Sequence, residues 1–490
     1  MLFLWLVLLS IFTYFVIKRS VASITRTPTW VLWLVMMLPA FTLAGWIVFQ
    51  GTDKPAPPGL LITLFVVCPL LYWFLIQWGR LPTPKSPAQP VESKTSDVAA
   101  TEAPKALLRP INKEEEAALQ HCFPWSVYYL QNIEYRPQAM ICRGQLRTSP
   151  TVAYETIQGN IKERFGDRFL VVFQEGMQGK PFFALVPNPQ AHNSDNRVEK
   201  SLTRPVIAIG LLLTTLFTTT AVGVLMAGIT EEQLQATPSL FFRGLPYALS
   251  LLLILGCHEF GHYWIARRHK IRATLPYFIP VPFFLGTLGA FIQMRSPVPN
   301  RRALFDVGIA GPLSGLIVAI PLLIWGLSQS EIVPLPEEAS LLNFEAVNPQ
   351  ASLLLAILSK LALGGGLAAN QALHLHPVAV SGCLGLVVTA LNLMPVGQLD
   401  GGHIVHAMYG QRTGALIGQV TRILMLVLVA VHSEFLLWAI LLFFIPAVDE
   451  PALNDVSELD NRRDALGLAA LALLVLIVLP APPMLTRLLF

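Results

Sequence analysis

The sequence predicts an all-α polytopic membrane protein carrying one small soluble α+β insert. Two observations predict it. First, 54% of the 490 residues are hydrophobic and only 13% are charged, where a soluble domain carries about 25% charged residues. Second, the charges are unevenly placed: residues 80–204 hold 29 of the 64 Lys, Arg, Asp and Glu residues. An ordinary soluble enzyme, a disordered chain and a coiled coil are excluded on these grounds. The net charge of +4 is modest, and no basic face is interleaved with aromatics, so nucleic acid is not an expected partner. The five cysteines are scattered without a CxxC pair and read as small apolar fillers.

A bilayer core of ~30 Å takes about 20 helical residues. Apolar segments fall at 2–17, 30–49, 60–78, 205–229, 243–266, 303–327, 377–397, 414–431, 435–448 and 465–488, about nine or ten spans. The first is followed rather than preceded by Lys18, Arg19 and Arg26, and it has no small-residue cleavage signal, so it reads as an uncleaved anchor with its N-terminus outside. Basic residues then mark the cytoplasmic loops: Lys200 and Arg204, Arg267 to Arg272, Arg301–Arg302, Arg412 and Arg462–Arg463. Acidic residues Glu231, Glu232, Glu331, Glu337 and Glu338 mark the opposite side. This alternation requires 328–376 to be one outer segment, with its apolar stretch 351–363 lying on the membrane or against the protein.

The expected organisation is an N-terminal transmembrane region (1–79), a disordered linker rich in Pro, Ala, Ser and Thr (80–110), a soluble α+β domain (111–200), a helical core (201–450) and a C-terminal transmembrane segment (451–490). Within the soluble domain, β-rich runs lie in 125–147. Ser149-Pro150 reads as an N-cap and first-turn pair opening a helix to about Phe165. Phe169–Phe173 and Pro181–Val186 read as a hairpin. Asp167, Glu175 and His192 read as solvated surface residues, and the domain's cytoplasmic partner is left unidentified.

Chemistry concentrates in two places. The fifth span contains His258-Glu259-Phe260-Gly261-His262. His258 and His262, at i and i+4, share one helical face and can bind one Zn²⁺, with Glu259 adjacent as general base. Two histidines and a glutamate in hydrocarbon are costly unless paired or metal-bound, which sharpens a motif that is weak in a soluble chain. The seventh span ends Asn392-Leu-Met-Pro395-Val-Gly-Gln-Leu-Asp400-Gly401-Gly402-His403. Pro395 and three glycines break the helix, which membrane depth tolerates only where backbone lines a cavity. Asp400 is the expected third zinc ligand. Asn392 is a candidate for a substrate or oxyanion hydrogen bond, or equally for an interhelical one. His403 reads as a supporting residue. Gly308, Gly311, Pro312 and Gly315 form a small-residue stripe expected to serve close helix packing.

His258-Glu259-x-x-His262 in one span, with Asn392-x-x-Pro395-x-x-x-x-Asp400-Gly401 in a later one, resembles the site-2 protease family of intramembrane zinc metalloproteases. The resemblance covers roughly 205–450. The wider layout looks most like the chloroplast and cyanobacterial branch typified by the ethylene-dependent gravitropism-deficient and yellow-green proteases. It implies one zinc held by His258, His262 and Asp400, a catalytic Glu259, and cleavage of membrane-embedded or membrane-anchored protein substrates. No transit segment is read at the N-terminus, so a bacterial source of cyanobacterial type is expected, in a plasma or thylakoid membrane. The likeness also suggests that the broken apolar stretch 275–299 is a re-entrant β-type loop, with Gly286 and Gly289 in its extended part. An exposed strand edge there would hold a substrate extended. Two other classes stay in view: a catalytically silent scaffold or chaperone with a protease-like core, and a transporter.

Overall fold

The computed structural model describes residues 29–50, 111–188 and 204–486, apart from 112, 137–138, 177–178, 283–284, 336–346, 365, 369–370, 432–434 and 483, together with scattered positions before residue 80. The expected spans 2–17 and 60–78, the linker 80–110 and His192 lie wholly or mostly outside these. The chain divides into two units, Met1–Glu102 and Ala103–Phe490. The first contributes α1 (Thr29–Gln50).

The second unit opens with the α+β region expected to be the soluble domain. A helix the sequence reading missed, α2 (Lys113–His121), begins with Glu114, Glu115 and Glu116, whose charges suit a helix N-terminus. It is followed by β1 (Tyr128–Arg136), β2 (Ala139–Leu146), α3 (Pro150–Phe165), β3 (Phe169–Glu175) and β4 (Pro181–Pro187). The strands form one antiparallel sheet in the order β1-β2-β4-β3. On β3 the inward positions alternate as Phe169, Val171 and Phe173, as a sheet with one buried face requires. Phe173 and Phe183 stack with ring centroids 4.1 Å apart. Helix α3 closes the core with Ala153, Tyr154, Ile157 and Ile161. Pro150 stands in its first turn as expected, but the Ser149 side chain makes no capping hydrogen bond.

The helical part follows. It comprises α4 (Pro205–Met226), α5 (Leu245–Arg268), the hairpin β5 (Tyr277–Pro280) and β6 (Thr287–Phe291), and α6 (Arg301–Ser328). Next come β7 (Glu331–Pro334), α7 (Leu353–Leu363), β8 (Gln371–His374), α8 (Pro377–Leu393), α9 (Asp400–Tyr409), α10 (Gln411–Val431), α11 (Leu436–Phe444) and α12 (Asn461–Val478). Five described helical stretches are long and apolar enough to cross a membrane: Thr29–Trp46, Pro205–Met226, Pro238–Arg268, Arg301–Ser328 and Gln411–Val429. Leu353–Leu363 and Pro377–Leu393 are apolar but shorter. The apolar stretch expected at 351–363 is the helix α7, which packs on α6 and α12. The same segment, expected to lie on the outer side, also contains an antiparallel β7–β8 pair that the sequence reading did not anticipate. Helices α5, α6 and α8 pack on one another, and α9 packs against α6. Their contact is dominated by buried Leu, Val, Ile and Ala.

The soluble sheet does not end at β3. Leu453–Asp455, in the connector between α11 and α12, runs along it: Phe173 N–H donates to Leu453 O at 2.7 Å and Asp455 N–H donates to Phe173 O at 2.9 Å. On its other side the same segment meets the approach to α6, with Leu453 N–H to Val298 O at 2.9 Å and Asn454 N–H to Pro299 O at 3.0 Å. Leu453 and Val456 pack into the soluble core. A region that reads in sequence as a self-contained insert is therefore completed by residues far downstream.

Candidate active site

Helix α5 carries His258 and His262 one turn apart, both buried. The His262 Nδ1–H donates to Val307 O of α6 at 2.8 Å, which leaves Nε2 as a bare acceptor aimed at His258. The two Nε2 atoms lie 3.3 Å apart.

Asp400 arrives from α9. Helix α8 stops at Leu393, the chain turns through Pro395 and Gly397, and α9 starts at Asp400. Glycine is required here by close approach. A Cβ on Gly397, at φ +51°, would stand 1.7 Å from Pro446 O, and one on Gly401 would stand 1.9 Å from Leu393 O. The turn thus folds tightly enough to aim the first carboxylate of α9 at the histidines, with the helix N-terminus behind it. Asp400 Oδ2 is 3.5 Å from His258 Nε2 and 3.3 Å from His262 Nε2. It is buried, yet no hydrogen bond of acceptable geometry reaches it.

Three acceptor-bearing atoms therefore converge within 4.8 Å of one another. Buried carboxylate oxygens are hydrogen-bonded or metal-bound as a rule, and Oδ2 lacks the first. Zinc–ligand bonds of about 2.0–2.1 Å in a tetrahedron set donors about 3.3–3.4 Å apart. The His₂Asp donor set and its spacing fit a zinc ion.

Helix α6 builds the seat. A Cβ on Gly311 would fall 2.0 Å from His262 Nε2, and one on Gly315 would fall 3.1 Å from His258 Nδ1. One on Gly308 would come within 3.0 Å of His403 and 3.2 Å of Asp400 O. The small-residue stripe, expected to serve packing alone, is also the space the two imidazole rings occupy. Its regular spacing alongside an HExxH helix was the available signal.

Glu259 is part-buried on the adjoining face of α5. Asn392 Nδ2 lies 3.0 Å from His258 Nε2, so the side chain belongs to this cluster. The hairpin β5–β6 packs against α5 through β6. Its turn is pinned at two points: Thr218 Oγ1 donates to Gly286 O at 2.7 Å, and Tyr247 OH donates to Leu285 O at 3.0 Å. Gly286 has φ +81° and sits where a Cβ would be 2.5 Å from Thr219 Cα. Gly289, at φ +107°, lies mid-strand, where a Cβ would meet nothing within 4 Å.

Residues 246–433, which include both motifs, match peptidase family M50. The chain carries an M50, site-2-protease-type domain. Residues 117–194 of the soluble region match the EGY3 middle domain, so the relationship extends beyond the M50 domain. Among curated proteins, the chain is 28% identical over 365 residues to "Probable zinc metalloprotease EGY2, chloroplastic" of Arabidopsis thaliana, covering 74% of this chain and 63% of that one. It is 35% identical over 238 residues to "Probable zinc metalloprotease EGY1, chloroplastic" of Arabidopsis thaliana, 48% and 43% of the two chains. It is 26% identical over 369 residues to "Probable zinc metallopeptidase EGY3, chloroplastic" of the same plant, 71% and 62% of the two. The chain thus spans less than two thirds of the length of these relatives. No solved structure matches.

Proposed function

We propose that the chain is a multi-pass membrane zinc metalloendopeptidase that hydrolyses peptide bonds of membrane-spanning or membrane-anchored proteins. The observation that carries this reading is the convergence of His258, His262 and an Asp400 oxygen with no hydrogen bond, beside Glu259, with both histidines on a helix long and apolar enough to cross a membrane. His258, His262 and Asp400 would hold the zinc, leaving a fourth position for water and substrate. Bound there, zinc acidifies a water and polarises the carbonyl under attack.

The chain's own residues do the rest. Glu259 takes the proton from the attacking water and returns it to the leaving amine. The Val307 carbonyl holds His262 in the tautomer whose Nε2 is a free acceptor. Asn392 offers an N–H at the same point, for the oxygen that gains charge as the carbonyl is attacked. The β5–β6 hairpin, re-entrant in this reading, holds the substrate extended along its edge, with Gly286 shaping its turn and Gly289 leaving the strand face open. The basic residues Arg267 and Arg268 at the end of α5, with Arg301 and Arg302 at the start of α6, orient the site toward the cytoplasmic face.

The test is purified protein assayed for bound zinc and for cleavage of a transmembrane peptide, with Glu259→Gln alongside. About one zinc is expected in both forms, with cleavage in the variant reduced by at least about 10²–10⁴-fold. A zinc-free wild type, or full cleavage by Glu259→Gln, overturns the reading.

A further inference from the structure

Asp400 is the first residue of α9, so its position depends on what fixes that helix. Two residues on α9, His403 and His406, turn away from the candidate metal centre toward the connector between α11 and α12. His403 Nδ1 lies 2.8 Å and His406 Nδ1 2.7 Å from the same oxygen, Asp449 Oδ2. His406 Nε2 lies 2.9 Å from Asp455 Oδ1, which also accepts from Arg301 Nε at 3.2 Å. An ionised carboxylate only accepts, so His406, bonded to one on each side, carries protons on both ring nitrogens. Two anions, Asp449 and Asp455, thus face two cations, His406 and Arg301. All four side chains are buried, at 9% exposure or less. Asp449 is tied further: Oδ1 accepts from Glu450 N–H at 2.7 Å and its carbonyl from Gln411 Nε2 at 2.8 Å. The connector is in turn held by backbone bonds to Phe173 on one side and to Val298 and Pro299 on the other.

An apolar contact would bury α9 at lower cost than four desolvated charges. Charges at fixed hydrogen-bonding distances do what apolar packing does not: they define the rotation and height of the helix. Metal ligands tolerate displacements of only about 0.5 Å.

We propose that Asp449 is a positioning residue of the candidate metal centre: through His403 and His406 it fixes α9, and so holds the Asp400 carboxylate against the two histidines of α5. Asp455 secures the same helix from its far side, and the soluble domain, by closing its sheet on 453–455, holds the connector that carries both carboxylates. This rests on the reading that His258, His262 and Asp400 bind a metal.

The full-length protein, its Asp449→Asn variant and a milder His403→Gln variant provide the test. Zinc retention against a graded chelator, the visible spectrum after cobalt replacement, and kcat and KM for a transmembrane peptide are measured together with thermal stability. Asp449→Asn is expected to lose zinc at about 10–100-fold lower chelator concentration, to show an altered cobalt spectrum, and to lower kcat per bound metal with KM little changed. His403→Gln is expected to shift all three in the same direction by less, which keeps the test decisive if Asp449→Asn does not accumulate. Variants that are less stable but keep the wild-type cobalt spectrum, zinc retention and kcat overturn the proposal. A wild type that binds no metal overturns instead the reading on which it rests.

Discussion

Helix α9 joins two His/Asp clusters, the second of which also takes in Arg301. At its start, Asp400 faces His258 and His262 at 3.5 and 3.3 Å, yet its inner oxygen accepts no hydrogen bond. Further along, His403 and His406 meet Asp449 and Asp455, and each bonding oxygen has a donor at 2.7–3.2 Å. The second cluster sets two cations, His406 and Arg301, against the two carboxylates and is complete in itself. The first is complete only with a cation. Histidine and aspartate occur in both; the balance of donors and acceptors separates them.

Substitutions that act on one cluster but not the other sharpen this contrast. The largest effect is expected from Gly311→Ala, whose methyl would occupy the position of the His262 ring. Zinc affinity should fall by about 10–100-fold, read by chelator competition, while the pH dependence of stability, set by the other cluster, stays as in the wild type. An unchanged affinity would mean that the ring does not need the space Gly311 leaves. A smaller effect is expected from Gly289→Pro, which removes an N–H and cannot adopt φ +107°. Cleavage should fall with bound zinc intact, and equal cleavage would remove the hairpin from substrate handling.

The smallest effect is expected from pH and belongs to the complete cluster. Burial alone would lower the His406 pKa from 6.5, but the carboxylates of Asp449 and Asp455 outweigh it and raise the pKa to about 9. The stabilisation this provides is full below about pH 6.5 and is lost as pH rises through about 9, a change on the order of 2–3 kcal/mol. Asp449 behaves in the opposite sense. Burial pushes its carboxyl up, the hydrogen bonds from His403 and His406 hold it down to about 2, and its contribution fades only as pH falls toward that value. Thermal melts between pH 6 and 10 should show the alkaline loss in the wild type and a weaker one in His406→Gln. Parallel curves would show that His406 carries no such linkage.

What the sequence made legible follows the range of the interactions. The HExxH pair is a one-turn relation on one helix, and the break before Asp400 is spelled by Pro395 and its glycines. Both were readable because local geometry dictates them. The strands of the soluble domain were readable for the same reason, through alternation such as Phe169, Val171 and Phe173. The roles of Gly311 and Gly315 were hidden because the atoms that fill their space come from another helix. Asp449 and Asp455 were hidden more deeply, in a connector with no motif. The trace they left was an acidic run, Asp449, Glu450, Asp455, Glu458 and Asp460, after a short apolar helix. Helix α2 was missed because its one turn of glutamates reads equally well as solvated linker. Asn392 was weighed between substrate and interhelical roles, and its amide meets His258 directly.

The pairing of Phe173 with Leu453 and Asp455 spans about 280 residues of chain, and this has a consequence for biosynthesis. A ribosome adds about 5–20 residues per second and domains made early generally fold first. Here the four strands of the soluble sheet emerge long before 453–455, so the β3 edge stays open while the helices between them are made. An unpaired edge is a site for wrong pairing. Closure of that edge is therefore a late event, and a chain released before residue 453 would carry an unsealed sheet. Limited proteolysis of the soluble domain in nascent chains of increasing length should show its protection rising once the connector has left the ribosome.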